Sequence, residues 1–174
     1  MLRGPNTSPV SLKQVLWMGS AFVGGLSVLA LTGMNIVGGA RPKDLGLFEG
    51  KLRPCPARSQ NCVASETPEP ARRVDSIRLR VDPTLALGRI ADVIGEMPRA
   101  KVVTRNDAYL HAEFTSLIFR FVDDLELRLD RETKTVHVRS ASRVGKGDLG
   151  VNRRRVEELE QRLRAAGIAE SNYK

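Results

Sequence analysis

The sequence has few of the residues and motifs that carry enzyme chemistry. Among its 174 residues are two cysteines, two histidines and one tryptophan, and aromatic residues make up 5%. It contains no G-x-S-x-G nucleophile motif, no glycine-rich phosphate loop and no H-E-x-x-H zinc motif. We therefore predict no catalytic residue, no bound metal and no cofactor. Whether the protein is an enzyme stays open at this level, and a non-enzyme is the favoured interpretation.

Charged residues are missing from one long stretch near the start of the chain. Only Arg3 and Lys13 precede Arg41, and residues 14–40 carry no charge at all. Residues 15–37 (VLWMGSAFVGGLSVLALTGMNIV) are long enough to cross a bilayer core, which takes about 20 residues of helix. No second long apolar run follows, which excludes a protein with several membrane spans.

A cleavable signal peptide is the main alternative to an uncleaved anchor. Arg3 and Lys13 would form its basic region and residues 38–40 (GGA) its cleavage site. A buried core helix is a third interpretation, and the apolar character of all its faces counts against it. An uncleaved anchor would make the membrane a partner of the protein. Both of the first two interpretations place the rest of the chain on the periplasmic or lumenal side of the inner (cytoplasmic) membrane.

The two cysteines lie close together in a proline-rich stretch (RPCPARSQNCVAS). In an oxidising compartment, Cys55 and Cys62 are expected to form a disulfide bond. Two free thiols are the alternative. A zinc site would need four ligands, and the two histidines are far along the chain.

The distribution of proline and of apolar residues divides the chain into four parts. Residues 1–40 are the predicted anchor or signal, and residues 41–73, with five prolines, are a linker or a wrapped arm. Residues 74–168 carry regular hydrophobic patterns and form the globular domain, and residues 169–174 are a tail.

The patterns within the globular part predict a strand, a helix, four strands and a second helix. The elements are a strand at 77–81, a helix from Asp82-Pro83 to Pro98, strands at 99–105, 109–115, 121–129 and 136–143, and a helix with Val156, Leu159 and Leu163 that ends at Gly167. Short connections favour an antiparallel meander of the last four strands, with both helices on one face. The prediction is an α+β fold of order β-α-β-β-β-β-α, TBP-like or helix-grip-like in outline.

Three segments together resemble one known family. They are residues 45–66 (LGLFEGKLRPCPARSQNCVASE), 109–130 (YLHAEFTSLIFRFVDDLELRLD) and 136–159 (VHVRSASRVGKGDLGVNRRRVEEL). They resemble the domain of unknown function 1499 family of bacteria and photosynthetic lineages, over roughly residues 45–163. The resemblance implies that the CP…NCV loop, the H-x-E strand, the FVDD turn and the arginine-rich block form one constellation. Lys146 stands where a typical member has an aromatic residue.

One face of the predicted sheet combines arginine, carboxylate and histidine side chains without any lysine. This composition is typical of a partly buried ion-pair network or of an anion site that needs bidentate donors, and a solvated outer face is the alternative. The candidate ligand-binding residues on this face and at the start of the last helix are His111, Glu113, Asp124, His137, Arg139, Arg143, Asp148, Asn152 and Arg153.

These observations predict a membrane-tethered, extracytoplasmic binding or envelope-structure module. Its ligand would be an anionic lipid or a small anionic metabolite held by the arginines. The alternative is a hydrolase-type or metal-dependent enzyme that uses Glu113 or Asp124 together with His111 or His137. Nucleic acid is not expected as a partner despite the net charge of +8, because the arginines of residues 152–155 (NRRR) are followed by glutamates one helical turn later.

Overall fold

The computed structural model describes residues 38–171 of the chain. In chain order the elements are β1 Leu47–Phe48, β2 Lys51–Leu52, β3 Cys62–Ala64, a 3-10 turn Pro70–Arg72, β4 Ile77–Arg78, α1 Pro83–Gly95, β5 Ala100–Arg105, β6 Tyr109–Thr115, β7 Val122–Asp130, β8 Thr135–Ser142 and α2 Val151–Ala165. The predicted span at 15–37 lies outside the described residues. Within the described part of the chain, neither helix has the length and apolar character needed to cross a bilayer.

The main sheet is antiparallel and has six strands. Its order is β3-β8-β7-β6-β5, and β4 also pairs with β8. The short strands β3 and β4 both pair with the same edge of β8. Ala64 of β3 lies opposite Arg139, and Ile77 of β4 lies opposite Val136. The predicted meander of the last four strands and the α+β class are confirmed.

Local sequence signals explain where the elements begin and end. The Asp82 side chain accepts a hydrogen bond from the backbone N–H of Thr84 at 2.8 Å and so caps α1, with Pro83 in the first helical position. The Asn106 side chain accepts the N–H groups of Ala108 and Tyr109 and closes the β5–β6 turn. Gly167 takes a φ of +67°, the left-handed conformation that favours glycine after the end of α2.

Both helices pack on one face of the sheet and form the hydrophobic core with it. Burying one such aliphatic side chain stabilises the fold by about 1.5–3 kcal/mol. The buried sheet residues include Leu110, Ala112, Phe114, Leu125, Leu127, Leu129, Val136 and Val138, and the helices contribute Leu87, Ile90, Ile94, Val156, Leu159 and Leu163.

The structure differs from the sequence prediction in the short strands that precede α1. The strand predicted at 77–81 ends at Arg78, because Leu79 then pairs with Ala169 and the N–H of Arg80 donates to the carbonyl of Ile168. Within the linker predicted at 41–73, β3 is a full member of the main sheet. Strands of two or three residues are too short to show periodicity, so pairing with β8 rather than local pattern creates them.

Candidate functional site

The sheet face opposite the helices carries the polar side chains, and much of it is buried. His111, Asp124, Glu126 and Arg139 are each 6% exposed or less. The alternative of a solvated outer face is wrong for these residues. The physical reason is a cover formed by residues 38–61, which we call the arm.

Hydrogen bonds from the arm reach the carboxylates of the sheet. The guanidinium of Arg41 donates to Glu113 through Nε at 2.9 Å and Nη2 at 2.6 Å. The backbone N–H of Gly46 donates to Oε1 of Glu126 at 2.8 Å. The arm therefore supplies donors to two acids from neighbouring strands.

A disulfide bond and the side chain of Asn61 hold the C-terminal end of the arm beside β8. Cys55 and Cys62 form a disulfide bond, and Cys62 is the first residue of β3. The side-chain amide of Asn61 donates to the carbonyls of Ser142, Val144 and Gly145, the last at 2.8 Å. These contacts hold the disulfide loop against the edge of the polar face.

This face also includes Arg41, Asn61 and Glu66, which no local pattern in the sequence predicted. All three lie in the proline-rich part of the chain, where no periodic pattern indicates a direction for a side chain. The available signal was the family resemblance, which groups the CP…NCV loop containing Asn61 with the polar strands.

Arg143 joins two acids that the sheet register places directly opposite each other. Glu113 on β6 pairs with Asp124 on β7, an arrangement of like charges that destabilises a sheet when left alone. Nη2 of Arg143 donates to Oε1 of Glu113 at 2.5 Å and to Oδ1 of Asp124 at 2.7 Å, and its Nε donates to Oδ2 of Asp124 at 2.9 Å. Nε2 of His111 lies 2.8 Å from Oδ1 of Asp124. We call these four residues the Arg143 cluster.

The hydrogen bonds of the Arg143 cluster keep its acids ionised. Burial raises the pKa of Asp124, but hydrogen bonds from Arg143 and His111 outweigh burial and hold that pKa below its usual value. Burial likewise raises the pKa of Glu113, and hydrogen bonds from Arg143 and Arg41 lower it further than burial raises it. The hydrogen bond to Asp124 raises the pKa of Arg143. The cluster is therefore a charged network at neutral pH.

A second buried group centres on Glu126. Its Oε1 accepts the hydroxyl of Tyr109 at 2.7 Å, and its Oε2 accepts Nη1 of Arg139, the residue opposite it on β8, at 2.5 Å. Burial raises the pKa of Tyr109, and the charge of Glu126 raises it further, so Tyr109 stays protonated and donates. Among the residues that the structure describes, the buried Nε of Arg139 has no hydrogen-bond partner.

A small cavity lies between the arm and the sheet. Its volume is about 150 Å³, and Asp124, Arg139 and Arg143 form its polar sheet wall, with Asp44, Ser59 and Asn61 on the arm side. The unpartnered donor of Arg139 thus belongs to a side chain that lines this partly open space. We call this space the Arg139 cavity.

The two histidines belong to separate groups. His137 lies near Ser65 and Glu66, with Nδ1 3.4 Å from the Ser65 hydroxyl, and Glu66 pairs with Arg128 at 2.9 Å. Burial lowers the pKa of His137, and the charge of Glu66 opposes this effect only in part. The two histidines therefore lie on strands that β7 separates, and each belongs to its own hydrogen-bonded group.

His111, Glu113 and Asp124 alone do place potential metal-ligand atoms within 4.8 Å of one another. The guanidinium of Arg143 donates to both of these carboxylates. A cation bound there would have to displace a buried positive charge, so the donor set fits an ion-pair network better than a metal site.

Three candidate residues lie at or just before the start of α2 rather than on the polar face of the sheet. The Asp148 carboxylate accepts the N–H groups of Gly150 and Asn152 at the start of α2. Asn152 is buried on the helix side of the sheet, where its Oδ1 accepts the hydroxyl of Ser140 at 2.6 Å. The guanidinium of Arg153 donates to the carbonyls of Arg73 and Ala71. These side chains hold α2 in place and do not face the Arg139 cavity.

Comparison with known proteins identifies a family but no activity. The family model described as "Protein of unknown function (DUF1499)" matches residues 51–163, which confirms the resemblance seen in the sequence. No curated protein and no solved structure matches the chain. The TBP-like or helix-grip-like outline therefore stays a prediction.

Proposed function

Because the chain belongs to the DUF1499 family, described only as proteins of unknown function, we propose a function from its polar face. The protein is a non-catalytic binding module that holds a small oxyanion or carboxylate in the Arg139 cavity. An N-terminal anchor tethers it to the inner (cytoplasmic) membrane, and the domain faces the periplasm or lumen. The uncharged run at 14–40 and the Cys55–Cys62 disulfide support this location.

The observation that carries the proposal is the unpartnered Nε–H of Arg139. Buried donors in native proteins nearly always have a partner, because an unmade hydrogen bond leaves the full cost of desolvation. Only one other buried side-chain polar atom within residues 38–171 has no partner, Nε of Arg164, and that side chain is 29% exposed on a helix. The Arg139 side chain instead lines a cavity, and we infer that a bound acceptor there pairs with its guanidinium.

The chemistry of the cavity wall favours an anionic acceptor. Arg139 and Arg143 stand together on the sheet wall, and guanidinium groups can form paired hydrogen bonds to a carboxylate or a phosphate. The Asp124 and Asp44 carboxylates also line the cavity, and Arg143 already donates to Asp124 and Glu113. Arg139 is therefore the main donor to the bound anion. The volume of about 150 Å³ limits the bound group to a small one. A lipid could place only its headgroup there, whereas a free phosphate or a short carboxylate fits entirely.

Binding is better supported than catalysis. A general base at neutral pH needs a pKa near that pH, and the pKa values of Asp124 and Glu113 lie below their usual range. Neither His111 nor Glu113 is among the residues that line the Arg139 cavity. The hydrogen bond between His111 and Asp124 therefore serves the ion-pair network.

Calorimetric titration of the full chain in detergent tests the proposal. The probes are inorganic phosphate, glycerol 3-phosphate, succinate and vesicles of phosphatidylglycerol, each against chloride at equal ionic strength. Arg139→Lys keeps the positive charge opposite Glu126 and removes the Nε donor. We expect it to weaken binding by about tenfold or more, since a hydrogen bond to a charged group contributes roughly 1.5–3 kcal/mol. Arg153→Lys, outside the cavity, is the matched control and should bind like the parent.

The probes separate the possible sources of the ligand. Binding of the soluble anions indicates a free ligand, and binding of phosphatidylglycerol vesicles alone indicates a lipid headgroup. If no probe binds the parent protein, or if Arg139→Lys binds as tightly as the parent, the cavity holds only water and the proposal is wrong.

A further inference from the structure

The loop between β6 and β7 exposes a cluster of large apolar side chains. Leu117, Ile118 and Phe119 are 70%, 78% and 64% exposed, and Phe121 is 38% exposed. We call residues 116–121 (SLIFRF) the apolar loop. An exposed cluster of this kind marks a surface that contacts a partner or a membrane, whereas a single exposed apolar residue has no such meaning.

Two hydrogen bonds between its first and last residues close the base of the apolar loop. The N–H of Ser116 donates to the carbonyl of Phe121 at 2.8 Å, and the N–H of Phe121 donates to the Ser116 hydroxyl at 2.9 Å. The rings of Phe119 and Phe121 stack with their centroids 5.5 Å apart. The closed base fixes the backbone of the loop. The exposure of the side chains at its tip is therefore a consequence of the folded structure.

The described chain begins next to this loop. The carbonyl of Gly38 accepts the N–H of Val122 at 3.3 Å, and a Cβ on Gly38 would lie 3.2 Å from the carbonyl oxygen of Arg120. Gly38 directly follows residues 15–37, the uncharged segment long enough to cross a bilayer. The point where that segment joins the domain is thus at the base of the apolar loop.

The charge around the apolar loop suits an anionic lipid surface. The loop contains Arg120 and no acidic residue, and Arg99, whose Nε donates to the carbonyl of Thr115, is exposed beside it. The nearby acids Asp123 and Glu113 are already paired with Arg155 and Arg143. Apolar tips flanked by arginine are the combination that binds in the interfacial region of a bilayer.

From these observations we propose that the apolar loop inserts into the leaflet that the N-terminal segment crosses. Leu117, Ile118 and Phe119 enter the boundary between headgroups and acyl chains, and Arg120 and Arg99 contact lipid phosphates. The loop is thus a second membrane contact in addition to the proposed anchor. The inference rests on the membrane tether proposed above and does not depend on a ligand in the Arg139 cavity.

Tryptophan fluorescence in reconstituted vesicles tests this inference. The full chain carries Trp17→Phe and Ile118→Trp, in vesicles of phosphatidylethanolamine and phosphatidylglycerol with bromine on the acyl chains. We expect a blue-shifted emission and quenching by the brominated lipid several-fold stronger than in the matched control. The control is Leu85→Trp in the same background, because Leu85 is equally apolar and 61% exposed but lies on α1 near the opposite β5–β6 turn.

The outcomes distinguish a failed insertion from a failed tether. The one tryptophan of the parent chain, Trp17, reports on the N-terminal segment itself. Quenching of Trp17 without quenching at position 118 overturns loop insertion and leaves the tether standing. A blue shift at position 118 without lipid quenching, together with a dimer by mass photometry, assigns the loop to a second copy and also overturns the inference. Both tryptophan variants replace exposed residues, so their melting temperatures should match the parent.

Discussion

Arg143 offsets a repulsion that the sheet register creates. Glu113 and Asp124 face each other across β6 and β7, and only a positive group between them makes this pair favourable. Arg143 is 6% exposed in its side chain and makes hydrogen bonds with both acids. The network stabilises the fold as long as all its members are present, because removing one member leaves buried charge uncompensated.

Replacing Arg143 should therefore be strongly destabilising. We expect Arg143→Met to lower the free energy of unfolding by about 3–5 kcal/mol, the usual cost of breaking a buried ion pair. Urea denaturation measures this change. Arg78→Met is the control, since the Arg78 side chain is 72% exposed and should cost less than about 0.5 kcal/mol. Equal urea midpoints for the two variants would show that the cluster does not stabilise the fold.

The same cluster predicts that stability falls in acid. The folded-state pKa of Asp124 is below its unfolded value of about 3.9, so its contribution is complete above that value. It is lost as the pH falls through the folded-state pKa, and Glu113 behaves in the same way. Urea denaturation from pH 7 to pH 3 should show a decline below about pH 5 that is shallower in Asp124→Asn. Parallel curves for parent and variant would contradict the assignment.

At the scale of elements, the arm determines whether the polar face of the sheet is exposed to solvent or buried. β3 adds a strand beside β8, the disulfide joins Cys62 of β3 to Cys55, and Asn61 holds the turn after β8. These contacts bring an irregular segment over polar strands that would otherwise face solvent. The Arg139 cavity exists because the arm covers it.

Loss of the disulfide should loosen this cover without abolishing the fold. In the chain-entropy model, closing so short a loop stabilises by about 2–3 kcal/mol. We expect Cys55→Ala with Cys62→Ala to lose about that much by urea denaturation. The intact mass of parent protein purified without reductant should be two hydrogens lighter than that of the reduced chain. Two thiols that alkylate freely under those conditions would contradict the disulfide.

At the scale of the whole molecule, charge and hydrophobicity are divided along the chain. The uncharged stretch at 14–40 precedes a domain that contains all the acidic residues and nearly all the basic ones. A disulfide in that domain agrees with an oxidising compartment. We therefore expect the domain to be exported across the membrane in which we propose that the N-terminal segment is anchored.

Reporter fusions measure this topology. Alkaline phosphatase fused after Lys174 should be active, because it folds only after export, and a cytoplasmic reporter at the same position should be silent. The reverse pattern would place the domain in the cytoplasm and contradict both the tether orientation and the proposed location.

Local pattern was sufficient to predict most of the sheet and both helices. The alternation of Leu110, Ala112 and Phe114 with polar residues indicates the buried face of β6, and Asp82-Pro83 marks the start of α1. Hydrophobic periodicity and helix capping depend on residues that are close together in the chain, so both can be recognised in the sequence. One such signal was overlooked: Asn152 lies four residues before Val156, on the apolar stripe of α2, which is consistent with its burial against Ser140.

Only the tertiary structure decided the environment of the polar face. Nothing near His111 or Asp124 in the sequence indicates that their side chains are buried. The cover comes from residues 38–61, some sixty positions earlier, and these residues show no hydrophobic periodicity. The contact of Arg41 with Glu113, 72 positions apart, and the unpartnered Nε of Arg139 depend on how that arm packs. The sequence determined which side chains share a face, since strand alternation is local. Packing between distant segments determined that this face is an enclosed ionic network with a cavity.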